Sequence, residues 1–132
     1  MLSDGTVGKL GREDFERVYR AKVEGARSLD ACCEGKELEF FVLYSSIASG
    51  MGSAGQANYG AANGCLDDLA AERRKRGLCG VSIRWGAWEG GGMATDATLE
   101  RMRRIGLDAV QPNVGMAALM SIIGGEDAGS VV

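Results

Sequence analysis

The sequence predicts an α/β protein built on a parallel sheet, and three observations carry that prediction. Two short apolar runs, Leu38–Ser45 and Cys79–Trp85, alternate with two longer stretches of helical periodicity. Each run is followed at once by a Gly-rich loop, and in parallel α/β sheets ligands bind beyond the carboxyl ends of the strands. Composition is globular, with 45% hydrophobic and 25% charged residues, 21 glycines without a Gly-X-Y period and a single proline, Pro112.

Residues 1–10 read as a loop. From Arg12 to Cys33 the apolar positions Phe15, Val18, Tyr19, Val23, Ala26 and Leu29 recur at three- and four-residue steps, the spacing of one helix face. Gly35 is the expected stop. Leu38–Ser45 is too short for a helix and suits a buried strand. Ile47–Gly55, small and Gly-rich, reads as a loop. A long helix is predicted over Gln56–Arg76 with Leu66, Leu69 and Ala70 facing inward. It ends before Gly77, where the run Arg73, Arg74, Lys75, Arg76 complements the negative end of the helix dipole. Cys79–Trp85 is the second strand, and the loop Gly86–Ala94 carries glycines at 90–92. Shorter helices are expected over Thr98–Ile105 and Val114–Ile123, and Val131 and Val132 read as the start of another strand.

Composition also removes whole classes of function. The 132 residues make one domain, small for an enzyme with a nucleotide cofactor. There is no histidine, which excludes Ser-His-Asp hydrolysis, Cys-His proteolysis and His-ligated zinc. Cys32, Cys33, Cys65 and Cys79 show no C-x-x-C spacing and read as reduced thiols. A net charge of −3 gives no electrostatic footprint for nucleic acid. No apolar run approaches the ~20 residues that span a bilayer, and no signal-peptide profile is present. The expectation is a soluble, cytoplasmic protein (an organelle is left open) with neither membrane nor nucleic-acid partner.

Two positions invite a chemical reading. Lys22 lies seven residues after Phe15 and seven before Leu29, within the apolar seam of its helix. A lysine there either snorkels or meets a buried polar partner, because an unpaired buried charge is costly. Tyr59 and Asn63, four residues apart, share one face near the start of the second long helix. They form either a satisfied polar patch or part of a site. Ser46, thirteen residues before Tyr59 and at a strand's carboxyl end, favours the site.

These residues carry a resemblance. The stretch FVLYSSIASGMGSAGQANYGAANGCLDDLAAERRKRGL, then VSIRWGAWEGGGMA, resembles the ketoreductase domain of polyketide synthases and, more distantly, of animal-type fatty acid synthases. Both belong to the short-chain dehydrogenase/reductase superfamily. The likeness covers about Leu2 to Gly115. It rests on the Ser–Tyr spacing, on Tyr-x-x-x-Asn, on Lys22-Val23-Glu24-Gly25-Ala26 and on Trp-Gly-x-Trp ahead of Gly-Met-Ala. It implies a Rossmann-like, doubly wound parallel sheet, NADPH as cofactor, and a β-ketoacyl substrate tethered to an acyl carrier protein beside other synthase domains. Carried over by residue, it makes Tyr59 the proton donor, Ser46 the catalytic serine, Lys22 the catalytic lysine and Asn63 their partner. Asn63 in place of the superfamily's usual lysine, with that lysine moved upstream to Lys22, resembles the megasynthase branch.

Elementary chemistry is consistent with those roles. Hydride addition to a ketone leaves negative charge on oxygen, which needs a proton and hydrogen-bond donors. A phenol titrates near 10 when unperturbed. A cation about 4 Å away at an effective dielectric near 20 is worth roughly 4 kcal/mol, enough to activate it. Ser46 is assigned to the substrate oxygen, and Asn63 to ordering either Lys22 or a water.

The chain lacks a Gly-x-Gly-x-x-Gly fingerprint after a strand, and Gly90-Gly91-Gly92 has the wrong spacing for one. The resemblance places that fingerprint in a preceding half, so residues 1–132 are expected to be a C-terminal catalytic part that binds NADPH poorly alone. Gly86 and Met93 are the cofactor-side candidates in this part. For product stereochemistry, Met51 stands where one type carries Trp, and Ala54 where Pro is frequent. Asp4 in Leu2-Ser3-Asp4, together with Asn58, matches the opposite, Leu-Asp-Asp type, implying a D-configured hydroxyl. Met93 and the helix over Thr98–Ile105 resemble the substrate lid. The competing readings are an inactive remnant with a structural role and a stand-alone reductase of small alcohols.

Overall fold

The computed structural model describes residues 3–90 and 95–124, with the side chains of 97 and 101 excluded. Met93 and the expected strand at Val131–Val132 lie outside the described residues. The chain divides into two units, one up to Arg84 and a second from Trp85.

In the first unit the predicted helix over 12–33 forms, but not as one regular α-helix. It consists of α1 (Arg12–Tyr19), a π-helical turn (Arg20–Glu24) and α2 (Gly25–Cys32). The wider turn explains which residues are buried. Val18 and Val23 are 0% and 1% exposed, yet five residues apart they would diverge by about 140° on an α-helix at 3.6 residues per turn. The π turn brings them to one side, and Ala26 follows three residues on. The regular seam expected from the sequence is therefore displaced, leaving Phe15, Tyr19 and Leu29 exposed at 39%, 37% and 60%. Lys22 sits inside the π turn, half-buried beside Val23. Asp14 anchors the start of α1 by accepting from the Gly11 amide at 2.9 Å.

Strand β1 (Val42–Ser46) begins later than Leu38, and β2 (Val81–Trp85) pairs with it in a parallel two-stranded sheet. Leu38 packs against the core from outside the strand, whereas Phe40 is exposed. Along Phe41–Ser45, Phe41, Leu43 and Ser45 are buried and Tyr44 is exposed, so burial alternates instead of running continuously. The expected loop after β1 contains one short helix, α3 (Ala48–Met51). Helix α4 (Ala57–Lys75) matches its prediction within a residue at each end and buries Leu66, Leu69 and Ala70 as expected. With Ala26, Phe41 and Leu43 these form one apolar cluster, and Val18, Val23 and Ala62 form a second, against which Tyr59 packs. Each fully buried Leu in such a cluster contributes about 1.5–3 kcal/mol. Gly35 and Gly77, the two predicted helix stops, have φ of 72° and 74°.

The basic run at the end of α4 does more than complement a dipole. Arg73 is 2% exposed, pairs with Asp30 of α2, donates to the Cys79 carbonyl at 2.7 Å and stacks 3.9 Å from the Phe41 ring centroid. Arg74 donates to the Gly80 carbonyl, and Arg76 joins Asp30 at 2.9 Å. Three of the four cations are thus tertiary ties as well as charges at the helix end. All four cysteines are free thiols.

The second unit contains α5 (Asp96–Arg104) and α6 (Pro112–Ile123), each starting two residues before its expected position. The reasons are local. Thr95 caps α5 by accepting from the Thr98 amide, and Pro112 supplies a first helical residue whose missing N–H costs nothing. Trp88 bridges Val110 in parallel register, and its ring lies 4.9 Å from that of Trp85. Gly115 lies so close to Trp88 that a Cβ would come within 2.4 Å of the indole. Gly115→Ala is therefore expected to lower stability by about 1–3 kcal/mol through overpacking, read from the urea midpoint by tryptophan fluorescence. Among the described residues no helix is long and apolar enough to cross a membrane.

Candidate active site

Lys22, Tyr59 and Asn63, three of the residues singled out by chemistry, meet in the first unit, with Ser46 on an adjoining strand. Lys22, presented by the π turn, donates from Nζ to Asn63 Oδ1 at 2.7 Å and to the Tyr44 carbonyl at 3.0 Å. The same ammonium stands 5.2 Å from the centre of the Tyr59 ring. Asn63 is 0% exposed, and its Nδ2 donates to the Tyr59 carbonyl one helical turn earlier at 2.8 Å. Of the two readings open for Lys22, the buried polar partner is the one realised. Of the two open for Asn63, its direct contact is with Lys22. An ammonium has three donors, so the two bonds leave one N–H for a further acceptor.

Ser46 ends β1 and is half-buried. Its Oγ accepts from the Ala48 amide at 3.2 Å, which orients the hydroxyl and leaves its O–H available to donate. Helix α4 approaches this turn closely, because a Cβ at Gly60 would lie 3.0 Å from the Ala48 carbonyl oxygen. The glycine after Tyr59 lets the start of α4 lie so near the segment that follows Ser46, since a side chain there would press the Ala48 carbonyl back by a few tenths of an ångström. Ser46 and Tyr59 are thereby held on adjoining elements.

The electrostatics centre on two groups. Burial pulls the Lys22 ammonium below the usual lysine range, and the negative charge of Asp67 pulls it back in part. Burial also pushes the Asp67 carboxyl upward, but hydrogen bonds outweigh it and leave the group below the usual aspartate range. The donors are Ser82 at 2.6 Å, Ser49 at 2.7 Å and Arg84 at 2.8 Å. Ser45, whose hydroxyl lies 3.2 Å from the Asn63 carbonyl, also favours the ionised Asp67. Asp67 was not among the candidates taken from the sequence. Its signal is the spacing Tyr59, Asn63, Asp67, which repeats one helix face at four-residue steps.

The stereochemical candidates occupy different environments. Asn58 is 2% exposed and donates to the carbonyls of Ser3 and Asp14 at 2.8 and 3.1 Å, while its Oδ1 accepts from the Tyr59 amide at 2.9 Å. Its amide is thus spent within the chain, pinning the start of α4 to α1 and to the segment before it. Asp4 accepts from Gln56 Nε2 at 3.1 Å, and Met51 is exposed at the end of α3. Gly86 belongs to the second unit, where it lies beside Val110. Met93 is not among the described residues.

The fold is of the short-chain dehydrogenase/reductase type, an α/β protein with a parallel sheet, and its Tyr–Lys–Asn cluster lies against β1, where Lys22 bonds the Tyr44 carbonyl. Comparison with known proteins narrows the class. The family model described as the KR domain matches residues 1–90. The chain is 42% identical over 127 residues to a phenolphthiocerol synthesis polyketide synthase type I of Mycobacterium marinum, covering 93% of this chain and 6% of the relative. It is 44% identical over 124 residues to polyketide synthase GfsA of Streptomyces halstedii, covering 91% and 2%. Among solved structures, the first ketoreductase of the tylosin PKS aligns with a TM-score of 0.90 at 43% identity, over 100% of this chain and 29% of that one. An A-type ketoreductase of a modular polyketide synthase aligns with a TM-score of 0.92 at 37% identity, over 98% and 28%. The chain belongs to the ketoreductase-domain family of polyketide synthases, and it spans only a small part of the length of these relatives.

Proposed function

We propose that residues 1–132 supply the catalytic groups for NADPH-dependent reduction of a β-ketoacyl thioester, carried on an acyl carrier protein, during polyketide synthesis. The observation that carries this reading is the Lys22 ammonium, brought from another helix to 2.7 Å from Asn63 and 5.2 Å from the Tyr59 ring. A cofactor of the nicotinamide class supplies the hydride when bound. The donor set suits such an oxygen-rich ligand, because Lys22 keeps an N–H beyond those given to Asn63 and Tyr44. In this reading Ser46 donates its O–H to the ketone oxygen and orients the carbonyl. Tyr59 delivers the proton to that oxygen as negative charge develops there. Lys22 stabilises the phenolate left behind, and Asn63 holds Lys22 at the distance where it does so.

Residues 1–132 are the C-terminal part of the reductase in this proposal, and the Gly-rich dinucleotide half lies on the same polypeptide beside the other synthase domains. The test is NADPH oxidation by the full-length polypeptide carrying this chain, with a β-ketoacyl thioester as substrate and Tyr59→Phe beside it. Oxidation with formation of the β-hydroxyacyl product, lost in the Phe variant, is the expected result. Binding of NADPH without turnover would overturn it and make the segment an inactive remnant.

A further inference from the structure

We propose that Asp67 is a positioning residue of this site, whose carboxylate ties the helix bearing Tyr59 and Asn63 to the short helix after Ser46 and to β2. The inference rests on the ketoreductase reading above. Its basis is geometric. One carboxylate on α4 accepts from Ser49 of α3 at 2.7 Å, from Ser82 of β2 at 2.6 Å and from Arg84 of β2 at 2.8 Å. Three elements thereby converge on a side chain only 14% exposed. One of them, α4, carries Tyr59 two turns before Asp67, and another, α3, follows directly on β1, the strand that ends at Ser46. The Ser46 hydroxyl is oriented by the amide of Ala48, the residue before Ser49, so displacing α3 displaces the donor meant for the ketone oxygen.

Charge adds a second link. Lys22 faces the Tyr59 ring and Asn63 on α4 and the Tyr44 carbonyl on β1. Asp67 faces Ser49 on α3 and Ser82 and Arg84 on β2, with Arg84 the other cation at the cluster. The Asp67 carboxylate favours the charged form of Lys22, opposing the effect of burial. Neutralising Asp67 removes that support and leaves Arg84 uncompensated, and both changes disfavour the ammonium. A clamp that only held the fold together would leave the titration of Lys22 where it was.

The experiment uses the full-length polypeptide and measures kcat, KM for a β-ketoacyl thioester, and the pH profile of kcat for Asp67→Asn and Ser49→Ala. Asp67→Asn is expected to lower kcat per folded molecule about tenfold or more, since misplacement near 1 Å costs up to ~100-fold. Its alkaline limb moves to lower pH, and KM changes little. Ser49→Ala, which cuts only the tie to α3, is expected to lower kcat with the alkaline limb unmoved. Wild-type kcat and an unmoved limb in Asp67→Asn would overturn the proposal. If Asp67→Asn does not fold, Ser49→Ala decides: reduced kcat supports the tie, and wild-type kcat overturns it. An inactive wild-type protein would defeat the ketoreductase reading instead. Titration of dimethylated Lys22 by methyl NMR then still tests the coupling, which a downward shift in Asp67→Asn supports and an unchanged midpoint refutes.

Discussion

Tyr59→Phe is expected to lower turnover by about 10²- to 10⁴-fold, the usual contribution of a positioned general acid. In activation free energy that range is about 3–5.5 kcal/mol. The substitution isolates the hydroxyl, because the Tyr59 ring packs against Val18, Val23 and Ala62 and a phenylalanine keeps that packing. Lys22 keeps its bonds to Asn63 and the Tyr44 carbonyl, so the cation stays in place with no phenol to act on. The fold should therefore survive, with a urea midpoint within about 1 kcal/mol of wild type. Single-turnover reduction of a β-ketoacyl thioester, followed by NADPH absorbance, makes the comparison directly. Retained turnover would mean that the proton comes from elsewhere, and that the Lys22–Tyr59 arrangement serves packing.

The second large effect concerns stability. Arg73→Ala is expected to cost about 3–5 kcal/mol, the usual loss when one partner of a buried ion pair is removed. Three consequences combine. Asp30 keeps only Arg76, whose side chain is 48% exposed and correspondingly screened. The Cys79 carbonyl loses its donor, and Phe41 loses the guanidinium stacked 3.9 Å from its centroid. Arg73→Lys should recover only part of this, since an ammonium cannot reproduce the guanidinium fork that reaches Asp30 and the Cys79 carbonyl together. Urea denaturation of both variants measures the difference, and the exposed neighbour Lys75→Ala should stay within about 0.5 kcal/mol of wild type.

Acid stability follows from Asp67 with a definite sign. Its folded-state pKa is depressed, so it contributes stability above its unfolded value, near the ordinary 3.8, and loses it as pH falls through the lower folded value. Asp67→Asn should therefore flatten the stability–pH curve below pH about 4 and leave its slope between pH 5 and 7 unchanged. Equilibrium denaturation across that range checks both parts.

Much of the fold was readable from local pattern. The period of α4, its inward Leu66, Leu69 and Ala70, and the stops at Gly35 and Gly77 depend on residues close in sequence, and each formed where the pattern placed it. Tyr59 and Asn63 were legible for the same reason, as an i, i+4 pair on one helix face. Ser46 was legible from its place at the carboxyl end of β1. Where local signals were not weighed, boundaries moved by about two residues, as with Thr95 capping α5 and Pro112 opening α6.

The sequence by itself determined the helical period, the strand-and-loop alternation and the presence of a lysine out of place in an apolar seam. Tertiary structure decided what that lysine does. A regular α-helix cannot bury both Val18 and Val23, so packing against α4 is reconciled with the sequence by a π turn, and Lys22 rides on it to Asn63. Long-range contacts likewise chose Arg73 from a run of four similar cations as the one to bury, because it alone meets the Cys79 carbonyl and the Phe41 ring as well as Asp30, which Arg76 shares from an exposed position. They also gave Asp67 its three donors from α3 and β2, partners 15 to 18 residues away. Periodicity records which face of an element turns inward; only the packed chain sets which polar groups meet there, since the energy of a buried charge depends on partners that local sequence does not contain.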